Sequence, residues 1–113
     1  MAEEISTERA KVLLDQGATF IDVREPYEHE AGHVAGDRYV PLNDLASEAA
    51  TIDKHKPVVV YCRSGSRAST AADALEASGW EAYNLEGGFV AWLEQQLPAE
   101  PENAEAALHS PLP

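Results

Sequence analysis

The segment PVVVYC, residues 57–62, is apolar almost without interruption and is flanked by polar stretches on both sides. A short continuous apolar run of this kind predicts a strand buried on both faces, as in a parallel sheet. TFIDVR, 19–24, predicts a second buried strand, Trp80 to Leu85 a third, and Tyr39-Val40 a short fourth. Between them lie helical patterns. Residues 6–16 begin with Ser6 or Thr7 as a cap, carry Val12 and Leu13 on an apolar face, and end at Gly17. Glu25-Pro26 opens a helical turn to about Ala31, since proline suits a first helical turn. Gly32 and Gly36 bracket a turn. Leu42 to Ala50, Arg67 to Ser78 and Phe89 to Leu97 predict three more helices, the last following a break at Gly87-Gly88 and stopped by Pro98. Strands alternating with helices predict an α/β sandwich with a mainly parallel central sheet flanked by helices.

This pattern covers residues 1–97. Residues 98–113 hold four prolines, three glutamates and four alanines, a composition that buries little. A flexible, acidic, Pro-rich tail is expected there, with a short docked helix at Glu102 to Leu108 as the alternative.

A chain of 113 residues, 44% of them hydrophobic, is enough for one compact domain and too short for two. No stretch reaches the roughly 18 to 20 apolar residues of a membrane span. MAEEISTERAK lacks the basic and then apolar regions of a secretory signal, so a soluble, cytoplasmic protein is expected. The charge balance, 20 acidic against 8 basic residues, carries no footprint for nucleic acid. An anion site on this surface must be locally positive, and two of the five arginines, Arg63 and Arg67, lie just beyond the PVVVYC strand.

That strand ends in Cys62, the only cysteine. It has no disulfide partner within the chain and cannot build a multi-thiolate metal site. Ligands of α/β sheets bind at the carboxyl ends of the strands. Arg63, Ser64, Gly65, Ser66 and Arg67 follow Cys62 and lead into a helix whose N-terminus points back at the strand end. A tight loop there turns backbone N–H groups inward as an anion nest and favours the thiolate. An ordinary buried cysteine acts as a small hydrophobe. The Arg-Ser-Gly-Ser-Arg sequence at a strand-to-helix junction points instead to a nucleophile. A cysteine phosphatase loop has five residues between its cysteine and arginine, whereas four separate Cys62 from Arg67. The shorter loop makes a tighter cradle, suited to one extra sulfur atom on the cysteine.

Three ordered segments give the chain its resemblance to a single-domain rhodanese, over about residues 5–97. FIDVREPYEHEAGHVAG resembles the first family signature, with Asp22, Arg24, Glu28, Gly32, His33 and Gly36 in place. VVVYCRSGSRAS resembles the active-site strand and loop, and NLEGGFVAW the closing segment with Gly87, Gly88 and Trp92. The chain departs from the family pattern at Asp37, Arg38 and Tyr39, and Asp37 and Arg38 are expected to alter the rim of the site.

The resemblance implies a thiosulfate sulfurtransferase. The Cys62 thiolate would take the outer sulfur of a small anionic donor and pass it, as a persulfide, to a thiol, cyanide or protein acceptor. Loop N–H groups from Arg63 to Arg67 would stabilise the persulfide. No metal or organic cofactor is implied, and no nucleic-acid or membrane partner. Arg63 is expected at the pocket mouth. Arg67, disfavoured at a helix N-terminus by the dipole, is expected to pair with a carboxylate. Asp22, Arg24 and Glu28 are supporting residues, with Arg24 leaning over the loop or pairing with Glu28. His33 and Trp92 are expected to be structural, and Trp80 partly exposed. His29, His55 and His109 show no metal-ligand spacing. The rival readings are a sulfur carrier or partner-binding module without turnover, a cysteine phosphatase or arsenate reductase, and a redox protein with a reversibly oxidised Cys62.

Overall fold

The computed structural model describes residues 1–107. Its elements in order are β1 (Glu3–Ile5), α1 (Thr7–Asp15), β2 (Thr19–Asp22), α2 (Pro26–Ala31), β3 (His33–Val34), β4 (Arg38–Tyr39), α3 (Leu45–Glu48), β5 (Val58–Tyr61), α4 (Ser66–Ala77), β6 (Ala82–Leu85), α5 (Gly88–Glu94) and β7 (Ala99–Glu100). Single 3-10 turns at Leu42–Asp44 and Ala49–Thr51 flank α3, so the predicted helix over 42–50 is three short pieces.

Five strands form one sheet in the order β1-β6-β5-β2-β4, with every neighbouring pair parallel. The α/β sandwich expected from the alternation of elements is therefore present. β5 is central, and Val58, Val59, Val60 and Tyr61 are each 0% exposed. Side chains alternate across a strand. Val58 and Val60 pack with Ile21, Val23, Leu45, Ile52, Ala68, Ala71, Ala72 and Leu75 on one face. Val59 and Tyr61 pack with Ile5, Ala10, Phe20, Leu85, Phe89 and Trp92 on the other. Trp80, at 8% exposure, lies within the first of these cores rather than at the surface.

The sheet order positions the site. From β2 the chain adds β4 on one side, then crosses back to add β5 and β6 on the other. The reversal falls between β2 and β5, whose last residues, Asp22 and Tyr61, are register partners. A crevice at the carboxyl ends is expected at such a switch point.

β3 forms where a turn between Gly32 and Gly36 was expected, and two further features depart from the sequence pattern. β1 is an unforeseen strand, since Glu3-Glu4-Ile5 has no periodicity to read. It forms because β6 offers a free edge, and Glu86 N donates to Ile5 O at 2.8 Å. The second is the segment after Pro98, which packs against the domain as far as Ala106. β7 pairs antiparallel with β3, His33 opposite Glu100 and Val34 opposite Ala99. Trp92 Nε1 donates to Pro98 O at 2.8 Å, Glu105 N donates to Ala31 O at 2.9 Å, and Ala104 and Ala106 pack on the core. The segment docks without a helix at 102–107, and Leu108 lies outside the described residues. No described helix is long and apolar enough to cross a membrane.

Candidate active site

Cys62 follows directly on β5 and is 1% exposed. Gly65 N donates to its Sγ at 3.0 Å, and Ala68 N donates at 3.4 Å. The loop therefore curls over the sulfur, and two backbone dipoles converge on it, one from the loop and one from the first turn of α4. The Ala68 donor lies one residue beyond the predicted loop of Arg63 to Arg67. Ser64 and Ser66 are exposed on the outer side of the loop. Arg63 is half-buried, and its Nε has no hydrogen-bond partner among the described residues.

The loop is held from three directions. α5 grips it from one side, where Phe89 N donates to Cys62 O at 2.8 Å and Val90 N donates to Arg63 O at 3.1 Å. Gly88 permits this approach. A Cβ there would lie 2.5 Å from Cys62 O and 2.6 Å from Arg63 O, and its φ is +58°. From β6, the buried Asn84 donates through Nδ2 to Gly65 O at 3.2 Å. Its other amide atom, Oδ1, is buried without a partner. Neither role was assigned from the sequence, although Asn84 and Gly88 both lie in the NLEGGFVAW segment.

The third hold is electrostatic. Arg67 reaches Glu28 in a two-pronged pair, Nη1 to Oε1 at 2.6 Å and Nη2 to Oε2 at 2.9 Å. Glu28 is almost fully buried while Arg67 keeps partial solvent access. Burial opposes the ionised carboxyl, but the Arg67 guanidinium and the Glu25 backbone N–H, which donates to Glu28 Oε1 at 3.1 Å, hold Glu28 below the usual carboxylate range. The Glu28 hydrogen bond in turn raises Arg67, against the opposing effect of burial. A cation at this helix N-terminus is thus tolerated through its carboxylate partner.

Arg24 pairs with Asp22, not with Glu28. Nε and Nη2 reach the two Asp22 oxygens at 2.8 Å each, and Nη2 also donates to Gly32 O at 2.6 Å. Both side chains are 0% exposed. The guanidinium carbon lies 4.7 Å from the Phe89 ring centroid and 5.4 Å from that of Tyr61, an arrangement suited to cation–π attraction. Asp22 and Arg24 thus brace the end of β2 beneath α2, which carries Glu28. Glu28 hands that support to Arg67 and the loop.

The same fold gathers His29 and Tyr39 with His33 and with Asp37, which the sequence had placed only at the rim of the site. His29 stacks between His33 and Tyr39, with ring centroids 4.0 and 4.4 Å away. Asp37 Oδ2 accepts the Tyr61 hydroxyl at 2.5 Å, and that hydroxyl accepts Val34 N at 2.9 Å. Burial pushes the Asp37 carboxyl up, against the lowering effect of the Tyr61 hydrogen bond and His29. The spacing of four between His29 and His33 was the available sequence signal, since both fall beside one helix end.

Comparison with known proteins agrees with this architecture. Residues 6–95 match the rhodanese-like domain family. The thiosulfate sulfurtransferase GlpE of Pseudomonas aeruginosa is 32% identical over 105 residues, covering 92% of this chain and 94% of the relative. The uncharacterized protein YqhL of Bacillus subtilis is 46% identical over 76 residues, covering 66% of this chain and 60% of that relative, so the chain spans less than two thirds of its length. A rhodanese-related protein of Thermoplasma volcanium superposes with a TM-score of 0.80 at 27% identity, covering 86% of this chain and 96% of that one. With the family matched over most of its length, this chain belongs to the rhodanese-like domain family.

Proposed function

We propose that the protein transfers sulfane sulfur from thiosulfate, or a related small anionic donor, to a thiophilic acceptor through a persulfide on Cys62. The observation that carries this reading is the convergence of the Gly65 and Ala68 N–H groups on the Cys62 sulfur. In the first step the Cys62 thiolate attacks the outer sulfur of thiosulfate. A Cys62 S–S bond forms, the donor's S–S bond breaks, and its electron pair leaves with sulfite. In the second step an acceptor nucleophile attacks the outer sulfur of the persulfide and restores the thiolate. With cyanide as acceptor the product is thiocyanate. Such covalent catalysis gives ping-pong kinetics.

The N–H donors fixed near Sγ suit the negative charge that returns there when the acceptor removes the outer sulfur. Arg63, with Nε unpartnered among the described residues, is the group we assign to the anionic donor. Arg67 is committed to Glu28, so its role is to hold the start of α4 and add positive potential near the thiolate. The backbone of Ser64, Gly65 and Ser66 completes the cradle. Asp22, Arg24 and Glu28 position the loop from below. The physiological setting consistent with this chemistry is the reducing cytoplasm, where thiols are available as acceptors.

The test is intact-protein mass under non-reducing conditions before and after thiosulfate. The expected result is the gain of one sulfur atom, removed by cyanide with release of thiocyanate and absent in Cys62→Ser. A folded Cys62→Ser protein that still transfers sulfur would overturn the mechanism. Sulfur loading without thiocyanate release would replace it with the carrier reading.

A further inference from the structure

We propose that His29, His33 and Asp37 form a binding site for a divalent transition-metal ion, separate from the sulfur chemistry at Cys62. The three residues recur every four positions, at the end of α2, the start of β3 and the turn before β4. One ligand atom of each lies within 4.8 Å of those of the other two. The His29 side chain keeps 21% exposure and His33 is half-buried, so an ion reaches the cluster from the imidazole side, with the Asp37 side chain, 3% exposed, behind it.

The hydrogen bonds around the two rings prepare them as ligands. His29 Nδ1 lies 2.8 Å from Asp22 Oδ2, and His33 Nδ1 lies 3.0 Å from His29 O. Both partners are acceptors, so in the neutral ring Nδ1 carries the proton and Nε2 has the lone pair. A carboxylate or carbonyl behind the far nitrogen is how metal-binding imidazoles are oriented. Asp22 is itself fixed by two bonds from Arg24, which makes that support rigid. Tyr61 occupies one Asp37 oxygen and leaves the other available.

Two imidazoles and one carboxylate suit zinc, copper or nickel better than magnesium or calcium. Three protein ligands would leave a coordination position for water. Metal–ligand bonds of about 2.0–2.2 Å bring donor atoms to roughly 3.3 Å from one another. His29 Nδ1 lies 4.0 Å from Asp37 Oδ2, and the His29 and His33 rings stack at 15°. Binding therefore requires the His33 ring to turn out of the stack. His33 is half-buried and at the edge of the cluster, so this motion leaves the core in place.

The test is calorimetric titration of the full chain with Zn²⁺, in a Cys62→Ser background so that the thiol cannot be the ligand. Cobalt(II) serves as an optical probe of the same site. One ion per chain is expected, with cobalt ligand-field bands in the visible. Separate His33→Ala and Asp37→Asn substitutions are each expected to weaken zinc binding about tenfold or more. Circular dichroism establishes that each variant is folded, and His55→Ala, at an exposed histidine elsewhere, is expected to bind as the parent does. The proposal is overturned if the parent binds no zinc. It is equally overturned if folded His33→Ala and Asp37→Asn bind as the parent does, or if His55→Ala is the variant that loses the ion.

Discussion

Gly88→Ala places a methyl group where the structure leaves no room. The new Cβ would lie 2.5 Å from Cys62 O, 2.6 Å from Arg63 O and 2.7 Å from Arg63 C, all backbone atoms. Separations below 3.0 Å are essentially never seen for a Cβ, so α5 and the loop must part by about 0.5 Å or more. That motion stretches the Phe89 N–Cys62 O and Val90 N–Arg63 O bonds, now 2.8 and 3.1 Å. Both would pass beyond the usual hydrogen-bond range, the second by more. Two costs add. A side chain at positive φ costs about 1–2 kcal/mol, and forced repacking costs about 1–3 kcal/mol. Gly17→Ala isolates the first cost, because Gly17 has φ +95° and nothing within 4 Å of the added Cβ. For a domain near this size, 1 kcal/mol moves Tm by about 4–8 °C. Thermal unfolding by circular dichroism should therefore place Gly88→Ala about 4–24 °C below Gly17→Ala. Transfer of sulfur from thiosulfate to cyanide should fall only in Gly88→Ala, since only there does the floor of the Cys62 loop move. Equal melting temperatures for the two variants would refute the claim that this backbone approach holds the loop.

Glu28→Gln should make the protein less sensitive to acid. The folded Glu28 carboxyl titrates below its ordinary value of 4.5, so the stabilisation from its pair with Arg67 is present above that pH. It is lost as pH falls through the lower folded value. The melting temperatures of parent and variant should differ most near neutrality and converge in acid, with a neutral deficit of about 1–3 kcal/mol. A deficit independent of pH would show that the pair is not the cause. Truncation after Leu97 removes the Pro98 acceptor from Trp92 Nε1 and strips β7 from β3. The lost hydrogen bond costs about 0.5–1.5 kcal/mol and the core contacts of Ala99, Ala104 and Ala106 go with it, so a fall in Tm of about 4 °C or more is expected. An unchanged Tm would contradict the docking of this segment.

The parts of the molecule that were legible in the sequence are those whose neighbours matter least. PVVVYC reads as a strand buried on both faces because four consecutive apolar residues have no other stable place, and β5 is the sheet's centre. The loop after Cys62 was legible because its residue types and spacing are themselves the geometry. The Arg67 pairing was anticipated in kind, from the helix dipole, but its partner Glu28 lies 39 residues away and depends on how α2 meets α4. Asp22 claims Arg24 for the same reason, through the bend at the end of β2. β1 and the docking of residues 99–106 were hidden because their stabilising contacts are supplied by other segments. Glu3 and Glu4 gain strand structure from the β6 edge, and the small alanines at 99, 104 and 106 give no apolar signal amid proline and glutamate. Asn84 and the His29, His33 and Asp37 cluster were missed because single polar residues acquire meaning only when the chain folds around them.

The two outermost strands of the main sheet are also its shortest members or nearly so, three residues in β1 and two in β4. Each presents charge, through Glu3 and Glu4 on one side and Arg38 on the other. A strand from a second molecule would find a template only two or three residues long, too brief to compete with the internal ladder of β5. The surplus of negative charge adds repulsion between approaching copies. The architecture that buries so apolar a central strand thus also protects a crowded solution of the folded protein from edge-to-edge aggregation.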